Sequence, residues 1–265
     1  MKEKFDFFIG PCVLESEELA LGIAERLHKD LSPFFDRINL HFKGSFDKAN
    51  RSSINSYRGP GLERGLKILD LVKKKFGLPV LTDIHLPEQA EKVAEVVDIV
   101  QIPAFLCRQT DIIIAGAEAC HRFGRKLKVK KGQFLSPAET SNIVEKASHY
   151  LKKEDILLTE RGSSFGYNNL VVDMSSFQTM KSFGVKAVHD ATHCVQRPGG
   201  LGDSTGGKRE SIKVLAKAAV AAGADGVFIE VHPEPKKALS DSSTCLPLEE
   251  TKELVSSLLD IYQVV

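Results

Sequence analysis

Residues 38–76 read INLHFKGSFDKANRSSINSYRGPGLERGLKILDLVKKKF, and this stretch decides the fold. Ile38–Phe42 alternates apolar and polar residues, which predicts a half-buried β-strand. Further along, apolar residues recur at helical spacing and predict an amphipathic helix: Leu62, Leu66, Leu69 and Val72. Between the two, residues 43–61 are rich in lysine, arginine, serine and glycine. A loop of this composition after a strand suits a sugar phosphate or a phosphorylated acid, although it is also compatible with a solvated basic loop.

The same alternation of strand and helix signals runs along the whole chain. The strand predictions are Phe5–Ile9, Ile38–Phe42, Pro79–Thr82, Asp98–Ile102, Leu127–Val129, Ile156–Thr159, Lys186–Val188 and Gly226–Ile229. Helical stripes lie between or after them, at Leu19–Leu27 behind the candidate cap Ser16, at Ile212–Val220 and at Leu248–Tyr262. Eight strand–helix units in a chain of this length predict an α/β fold of the (β/α)8 TIM-barrel type, which typically has about 250 residues. A doubly wound sheet is the main alternative.

Composition narrows the class of protein further. The chain has 265 residues and no low-complexity linker, so we expect one barrel domain spanning residues 1–265. A net charge of +1, from 36 basic and 35 acidic residues, argues against a nucleic-acid partner. No apolar run approaches the ~20 residues of a membrane span, and no secretory signal precedes the first strand. The five scattered cysteines suit free thiols in a reducing cytoplasm.

A barrel of this type carries its catalytic residues just beyond the carboxyl ends of its strands. Polar residues occur at those places, and they divide into anion binders and metal ligands. Strand ends lead into polar loops in any case, so position alone explains part of the pattern. The residues are Cys12, Lys43, Asp83, Gln101, Lys130, Glu160, Arg161, His189, Asp190, His193 and Glu230.

Four cations are expected to converge at the barrel mouth: Lys43, Lys48, Lys130 and Arg161. A small, highly charged anion such as phosphoenolpyruvate needs several cations to replace its lost hydration. The alternative is that these cations form structural ion pairs with Glu160, Asp83 or Glu230.

A second set offers a thiolate, an imidazole and two carboxylates: Cys12, His193, Glu230 and Asp241. This donor set would suit a divalent first-row transition ion such as Zn, Fe, Mn or Co. The four residues come from separate loops without a short ligand motif, so a buried cysteine, a packed histidine and two solvated acids remain the alternative.

Two further motifs need an interpretation. Gly202–Lys208 matches the start of a nucleotide P-loop, but Arg209 stands where that motif requires serine or threonine. We therefore interpret Pro198–Lys208 as a mobile lid with glycine hinges. Lys130 and Lys131 end a strand within a dense cationic run, so a Schiff-base aldolase is a further alternative.

Long motifs of the chain resemble the 3-deoxy-D-manno-octulosonate 8-phosphate synthases. They are Lys43–Gly61, Thr82–His85, Gln101–Gln109, Val129–Gln133, Thr159–Gly162, Phe165–Leu170, Asp190–His193 and Glu230–Pro233. The resemblance runs from about residue 6 to the C-terminus. It implies a (β/α)8 barrel that forms homotetramers and condenses phosphoenolpyruvate, D-arabinose 5-phosphate and water. The products are 3-deoxy-D-manno-octulosonate 8-phosphate and phosphate, and the sugar enters lipopolysaccharide biosynthesis.

The resemblance also implies roles for individual residues. Phosphoenolpyruvate would be held by Lys43, Ser45, Lys48, Gln101, Ala104, Lys130 and Arg161, with Asp83 in the same substrate-binding set. Asn50, Arg51 and Ser52 would hold the pentose phosphate, and Arg108 would reach in from a neighbouring subunit. The residues expected to take part in the chemistry are Lys43, Lys48, Lys130, Arg161 and His193.

Position 12 divides the family that the chain resembles. Gly10-Pro11-Cys12 is similar to metal-requiring members, whereas metal-independent ones carry asparagine after Gly-Pro. The resemblance thus implies a metal held by Cys12, His193, Glu230 and Asp241. Cys194 stands where serine is expected and offers a competing ligand or an oxidisable thiol. A seven-carbon sugar synthase that uses erythrose 4-phosphate and a non-catalytic phospho-sugar-binding barrel remain alternatives, and Asn50 favours the five-carbon acceptor.

Overall fold

A computed structural model describes residues 2–198 and 206–265, and its centre is a closed barrel of eight parallel strands. Each strand pairs with its neighbours in chain order, and β1 pairs with β8 through the register Phe7 to Val227, which closes the barrel. All eight strands predicted from the sequence are confirmed, and the doubly wound alternative is wrong. The strands are β1 Phe5–Gly10, β2 Ile38–Lys43, β3 Val80–Asp83, β4 Ile99–Ile102, β5 Lys126–Lys130, β6 Ile156–Glu160, β7 Lys186–Asp190 and β8 Gly226–His232.

An α-helix follows each of the strands. Within the described residues these are α1 Glu17–Leu31, α2 Leu62–Phe76, α3 Ala90–Val96, α4 Thr110–Phe123, α5 Ser141–Ala147, α6 Ser176–Lys181, α7 Ile212–Ala221 and α8 Thr251–Val264. Ser16 caps α1 as predicted, because its hydroxyl accepts the Leu19 amide at 3.1 Å. Helix α2 ends at Gly77, whose φ of +65° is the left-handed conformation that glycine adopts without strain.

Two apolar layers follow from the alternation of side chains along each strand. One face of every strand packs against the surrounding helices, as Phe7, Ile9 and Phe42 do. The other face fills the barrel interior with a compact cluster made of Phe8, Leu81, Ile99, Leu157, Val188 and Phe228. The barrel is therefore a packed core, and most of its polar side chains lie at the two ends.

Short elements decorate the carboxyl ends of the strands. Ser163–Ser164 pairs with Leu170–Val171, Gln196–Arg197 pairs with Gly206–Gly207, and Leu246–Pro247 runs beside the end of β8. The 3₁₀ turns are Ser32–Phe34, Pro87–Gln89, Ala104–Leu106, Ala138–Thr140, Lys153–Asp155, Arg209–Ser211, Pro235–Lys237 and Leu248–Glu250. The segment predicted as a lid, Pro198–Lys208, lies mostly outside the described residues. None of the helices described is both long enough and apolar enough to cross a bilayer.

Candidate active site at the carboxyl ends of the strands

Two adjoining cavities open where the carboxyl ends of the strands meet. The inner cavity, of about 80 Å³, is lined by Lys43, Lys48, Asn50, Asp83, Gln101, Ala104, Lys130, Arg161, His193 and Glu230, among others. The outer cavity, of about 390 Å³, is lined by Asn50, Arg51, Ser52, Gln196, Ser240 and Asp241, among others. Lys48, Asn50, Arg161 and His193 line both, so the two cavities form one continuous site. The four predicted cations therefore converge as expected.

All four cations already have partners within the protein, and Lys48 donates to Ser45 Oγ. Lys43 Nζ lies 2.6 Å from Glu230 Oε1, and Lys130 Nζ lies 2.6 Å from Asp190 Oδ2. Arg161 donates from Nη2 to Gln196 Oε1 at 2.6 Å. The ion-pair alternative is thus confirmed for Lys43 with Glu230, yet the same lysine still lines the inner cavity. These acids hold the cations in place rather than removing them from the site.

Within the described part of the chain, Arg161 retains one buried N–H donor group that takes part in no hydrogen bond. Its Nη1 is buried and has no hydrogen-bond partner. Burial lowers the pKa of this guanidinium, although Asp190 and Asp241 act in the opposite direction. An arginine keeps its charge at any ordinary pH, so an unsatisfied N–H at the wall of the inner cavity is suited to an anionic ligand.

A hydrogen-bonded chain orders the other wall of the inner cavity. Gln101 Nε2 donates to Asp83 Oδ1 at 2.8 Å, and Ser45 Oγ donates to Asp83 Oδ2 at 2.8 Å. Lys48 Nζ in turn donates to Ser45 Oγ at 3.0 Å. Burial alone would raise the pKa of Asp83, but the charges of Lys48 and Lys43 hold it well below its usual range. Asp83 is accordingly an ionised acceptor that anchors its neighbours.

Three of the four predicted metal ligands form a compact donor group. Ligand atoms of Cys12, Glu230 and Asp241 all lie within 4.8 Å of one another. The fourth, His193, places Nε2 at 3.5 Å from Glu230 Oε2 and 3.6 Å from Asp241 Oδ2. Glu230 Oε2 is buried and has no hydrogen-bond donor. A buried carboxylate oxygen without a donor, beside a thiol and a second carboxylate, fits a bound divalent cation.

Local charge explains how the thiol of Cys12 behaves without a cation. Burial raises its pKa well above the usual value, and the carboxylates of Asp241 and Glu230 add to the effect. The thiol lies 3.1 Å from Asp241 Oδ2 and 3.1 Å from Ser240 Oγ. A metal would replace the thiol proton, so binding and deprotonation are coupled.

Asp190 orients the imidazole of His193. Its carboxylate accepts the His193 backbone N–H at 2.9 Å and lies 2.9 Å from the ring Nδ1. This contact places the proton on Nδ1 and leaves Nε2 directed at Glu230 and Asp241. Burial would lower the pKa of His193, but the charges of Asp190 and Glu230 raise it above its usual value.

The outer cavity joins the loop after β2 to the loop after β8. Arg51 Nη1 donates to Ser240 Oγ at 2.9 Å, Nη2 donates to the Leu239 carbonyl, and Nε donates to the Tyr57 carbonyl at 3.1 Å. Asp241 follows this contact in a left-handed backbone conformation, with φ of +50°. That conformation is unusual for aspartate and directs its side chain to the Cys12 group.

Arg108 is the one predicted site residue that the structure places elsewhere. It is exposed and lines a separate cavity with Glu139, Lys146 and His149. Within one chain it does not reach the barrel mouth, and its action on a neighbouring subunit stays a prediction. Cys194 is buried, and its Sγ contacts the Ala191 carbonyl at 3.4 Å and His189 Nε2 at 3.7 Å.

Lys131 makes structural contacts instead of forming part of the mouth. Its Nζ donates to the Leu135 carbonyl and to Ser163 Oγ, both at 3.0 Å, and lies 3.4 Å from Glu160 Oε2. A lysine satisfied in this way is poorly placed to form a Schiff base. The Schiff-base alternative therefore keeps only Lys130 as a nucleophile, which pairs with Asp190.

Sequence reasoning did not assign a role to Gln196. Its amide accepts from Arg161 and donates from Nε2 to Asp241 Oδ1 at 3.0 Å, so it links an anion-binding cation to a candidate metal ligand. A glutamine in a two-residue strand beyond the barrel carries no sequence signal of such a role. Asp190 was recognised only as a polar residue past a strand, and its contact with His193 became visible through the fold.

Comparison with known proteins shows the family to which the chain belongs. The model of the DAHP synthetase I family matches residues 2–263. A 2-dehydro-3-deoxyphosphooctonate aldolase of Trichlorobacter lovleyi is 53% identical over 249 residues, which cover 94% of this chain and 89% of the relative. The protein of the same name from Nitratidesulfovibrio vulgaris is 54% identical over 251 residues, covering 94% and 89%. That of Geobacter sp. strain M21 is 52% identical over 256 residues, covering 97% and 91%.

Proposed function

Because the chain belongs to the DAHP synthetase I family, we propose that it condenses phosphoenolpyruvate with D-arabinose 5-phosphate and water. The reaction yields 3-deoxy-D-manno-octulosonate 8-phosphate and phosphate, and the eight-carbon sugar enters lipopolysaccharide biosynthesis. The enzyme is a transferase, like the relatives named for the octulosonate phosphate. The observation that carries the proposal is the cation-lined inner cavity, which opens directly into the Arg51-lined outer cavity.

Phosphoenolpyruvate is assigned to the inner cavity. Its phosphate and carboxylate together need several donors, and Arg161 Nη1 is buried there with no partner. Lys43, Lys48 and Lys130 supply the remaining positive charge, and Gln101 and Ala104 complete the wall. Ser45 is buried and accepts a hydrogen bond from Lys48. The internal ion pairs with Glu230 and Asp190 keep these lysines pre-positioned, so little ordering is needed when the donor binds.

D-Arabinose 5-phosphate is assigned to the outer cavity, where Asn50, Arg51 and Ser52 face the donor site. Arg51 is held by the loop that carries Ser240 and Asp241, so its guanidinium is positioned before the acceptor phosphate binds. Arg108 is assigned to the acceptor phosphate of a neighbouring subunit in a homotetramer, since its own barrel mouth is out of its reach.

The cofactor is a divalent transition metal, Zn, Fe, Mn or Co, held by Cys12, His193, Glu230 and Asp241. The orphaned Glu230 Oε2 and the close approach of three donor groups support this assignment. When bound, the ion would supply Lewis-acid charge that orients an oxygen or lowers the pKa of water. Asp190 fixes the His193 ring for this role, and Gln196 fixes Asp241.

The residues of the mouth stabilise each stage of the bond changes. Carbon 3 of the enol attacks the acceptor aldehyde, water adds to carbon 2, and the tetrahedral intermediate loses phosphate by cleavage of the carbon–oxygen bond. Lys43, Lys130 and Arg161 neutralise the donor and fix which face of the enol meets the aldehyde. The same charges stabilise the departing phosphate.

The test is acceptor specificity. Loss of phosphoenolpyruvate is followed with arabinose 5-phosphate, with erythrose 4-phosphate and with no acceptor, and the sugar product is identified by mass spectrometry. The account expects the eight-carbon product with the pentose phosphate. A seven-carbon product from erythrose 4-phosphate alone would favour the sister activity. Binding of phosphoenolpyruvate without turnover would favour a binding protein, and inactivation by borohydride with substrate would favour the aldolase.

A further inference from the structure

Lys128 is buried in the centre of the barrel, and the chemistry proposed above does not use it. It lies in the middle of β5, and its Nζ is 4.8 Å from the ring centre of Phe228 and 5.2 Å from that of Phe8. No carboxylate of the described residues forms an ion pair with it; Asp190 and Asp83 act only from a distance. An amine in such surroundings loses its hydration without gaining a counter-ion, so a specific role is needed to explain it.

Among the described residues this amine makes one hydrogen bond, and it points toward the active site. Lys128 Nζ donates to Gln101 Oε1 at 3.0 Å. Burial and, next, the charge of Lys130 hold the pKa of Lys128 well below its usual value. A neutral amine donates a hydrogen bond as an ammonium does, so the contact with Gln101 persists in either form.

Asp83 determines which groups donate and which accept in the hydrogen bonds around Gln101. An ionised carboxylate only accepts hydrogen bonds, so the Gln101 amide must present its NH₂ group to Asp83, at 2.8 Å. Its oxygen then turns down into the barrel, where Lys128 is the donor that meets it. On the other side, Asp83 accepts from Ser45, which accepts from Lys48. Lys128 is thus the first member of a hydrogen-bonded chain that runs through Gln101, Asp83 and Ser45 and ends at Lys48, a cation of the inner cavity.

We infer that Lys128 is a positioning residue for the phosphoenolpyruvate half of the site, which it serves by holding Gln101 in the orientation that aligns Asp83, Ser45 and Lys48. This inference rests on the proposed function. Without the amine, Gln101 Oε1 becomes a buried acceptor with no donor, and the amide gains by rotating away from Asp83. Arg51 bonds none of these residues, and of the hydrogen-bonded chain only Lys48 also lines the outer cavity, so we expect the effect to fall mainly on the donor.

The experiment compares Lys128→Met with the wild-type enzyme. Methionine keeps the length and removes the donor. We expect kcat/KM for phosphoenolpyruvate to fall about tenfold to a hundredfold, as for a buried amide oxygen left without a donor. The KM for arabinose 5-phosphate stays within about twofold. The melting temperature stays the same or rises, because a buried amine without a counter-ion is removed. Lys126→Met, on the same strand but exposed at the opposite end of the barrel, is the matched control and retains wild-type kinetics.

A double variant tests whether Lys128 acts through Gln101. Adding Lys128→Met to Gln101→Leu should cause no further loss, because both changes break the same chain. Multiplicative losses, equal losses for both substrates, or a fall in melting temperature that accompanies the fall in activity would overturn the inference. If Lys128→Met does not fold, Lys128→Gln, which keeps a shorter donor, is measured alone and in combination with Gln101→Leu. A smaller loss that is selective for phosphoenolpyruvate is expected for the single variant, with no further loss in the combination. An inactive wild-type enzyme would refute the proposed function, whereas an active one that tolerates Lys128→Met would refute only this inference.

Discussion

Replacing Glu230 by glutamine tests how much the buried ion pair between Glu230 and Lys43 contributes to the stability of the folded protein. Glu230 Oε1 lies 2.6 Å from Lys43 Nζ, and each side chain is only 1% exposed. Removing one partner of a buried ion pair costs about 3–5 kcal/mol of folding free energy, because the other charge is left without compensation. Lys43 also donates to the carbonyls of Cys12, at 2.6 Å, and Pro11, at 3.3 Å. Those contacts persist in the variant, so the lower end of the range, about 3 kcal/mol, is expected.

This free energy is large enough to be read as a melting temperature. A change of 1 kcal/mol shifts the melting temperature of a protein of this size by about 2–4 °C, so Glu230→Gln should lower it by about 6–12 °C. The melt is followed by circular dichroism in excess chelator, so that a lost metal ligand does not contribute to the shift. The matched control is Glu234→Gln, which breaks an ion pair with Lys237 in which both side chains are mostly exposed.

The control is expected to shift by no more than about 4 °C, since exposed pairs contribute less than about 1 kcal/mol. If Glu230→Gln melts within 2 °C of that control, the claim that Lys43 depends on Glu230 in the folded protein is refuted. A larger shift for Glu230→Gln than for the control would show that the Lys43–Glu230 pair is shielded from water.

Three further predictions concern the metal, the donor and the far end of the barrel. Cys12→Asn should weaken Mn or Zn binding by at least about tenfold to a hundredfold in competition with a chromophoric chelator, and unchanged affinity would exclude Cys12 as a ligand. Arg161→Lys should raise the KM for phosphoenolpyruvate about tenfold to a hundredfold. Arginine bonds Gln196 through one nitrogen and offers a second nitrogen to the ligand, whereas a lysine ammonium has a single nitrogen. An unchanged KM would count against the assignment of phosphoenolpyruvate to the inner cavity. Burial alone would raise the pKa of Asp6, but its bonds with His41 and Lys186 lower it to about 2 from 3.8. The unfolding free energy should therefore exceed that of Asp6→Asn by about 2 kcal/mol above pH 5, and urea melts should show this difference shrinking as the pH falls toward 2. A difference that does not vary with pH would contradict the assignment.

The strands were predictable because their sequence signal is local. Runs such as Ile156–Thr159 are buried on both faces in a parallel barrel, and such strands are short and apolar. The observed strands mostly extend further by one or two polar residues, including Lys43, Lys130 and Glu160. These residues were expected in loops, but the ladder still pairs Lys43 with Leu81 and Lys130 with Thr159. Side-chain polarity marks where a strand meets solvent, whereas backbone pairing determines where it ends.

The site was predictable in its residue types but not in its contacts. Cations and acids at strand ends pointed to a phosphorylated substrate because parallel strands bring those ends together. The roles of Lys126, Lys128 and Lys130 could not be separated, because all three face inward and the stagger of the barrel decides the depth of each. Lys126 lies at the opposite end, Lys128 in the core and Lys130 at the mouth. The bridge from Arg161 through Gln196 to Asp241 joins separate loops, and only the folded chain reveals it.

The most direct test of the account is the dependence of phosphoenolpyruvate consumption on both the pentose phosphate and the metal. Chelator-treated protein is assayed with and without arabinose 5-phosphate, and Mn or Zn is restored in parallel samples. The account predicts consumption only when the pentose phosphate and a metal are both present. Consumption that persists in chelator would remove the metal from the account while leaving the synthase in place. No consumption in any sample, with erythrose 4-phosphate also inert, would contradict the central claim that this barrel mouth is a synthase active site.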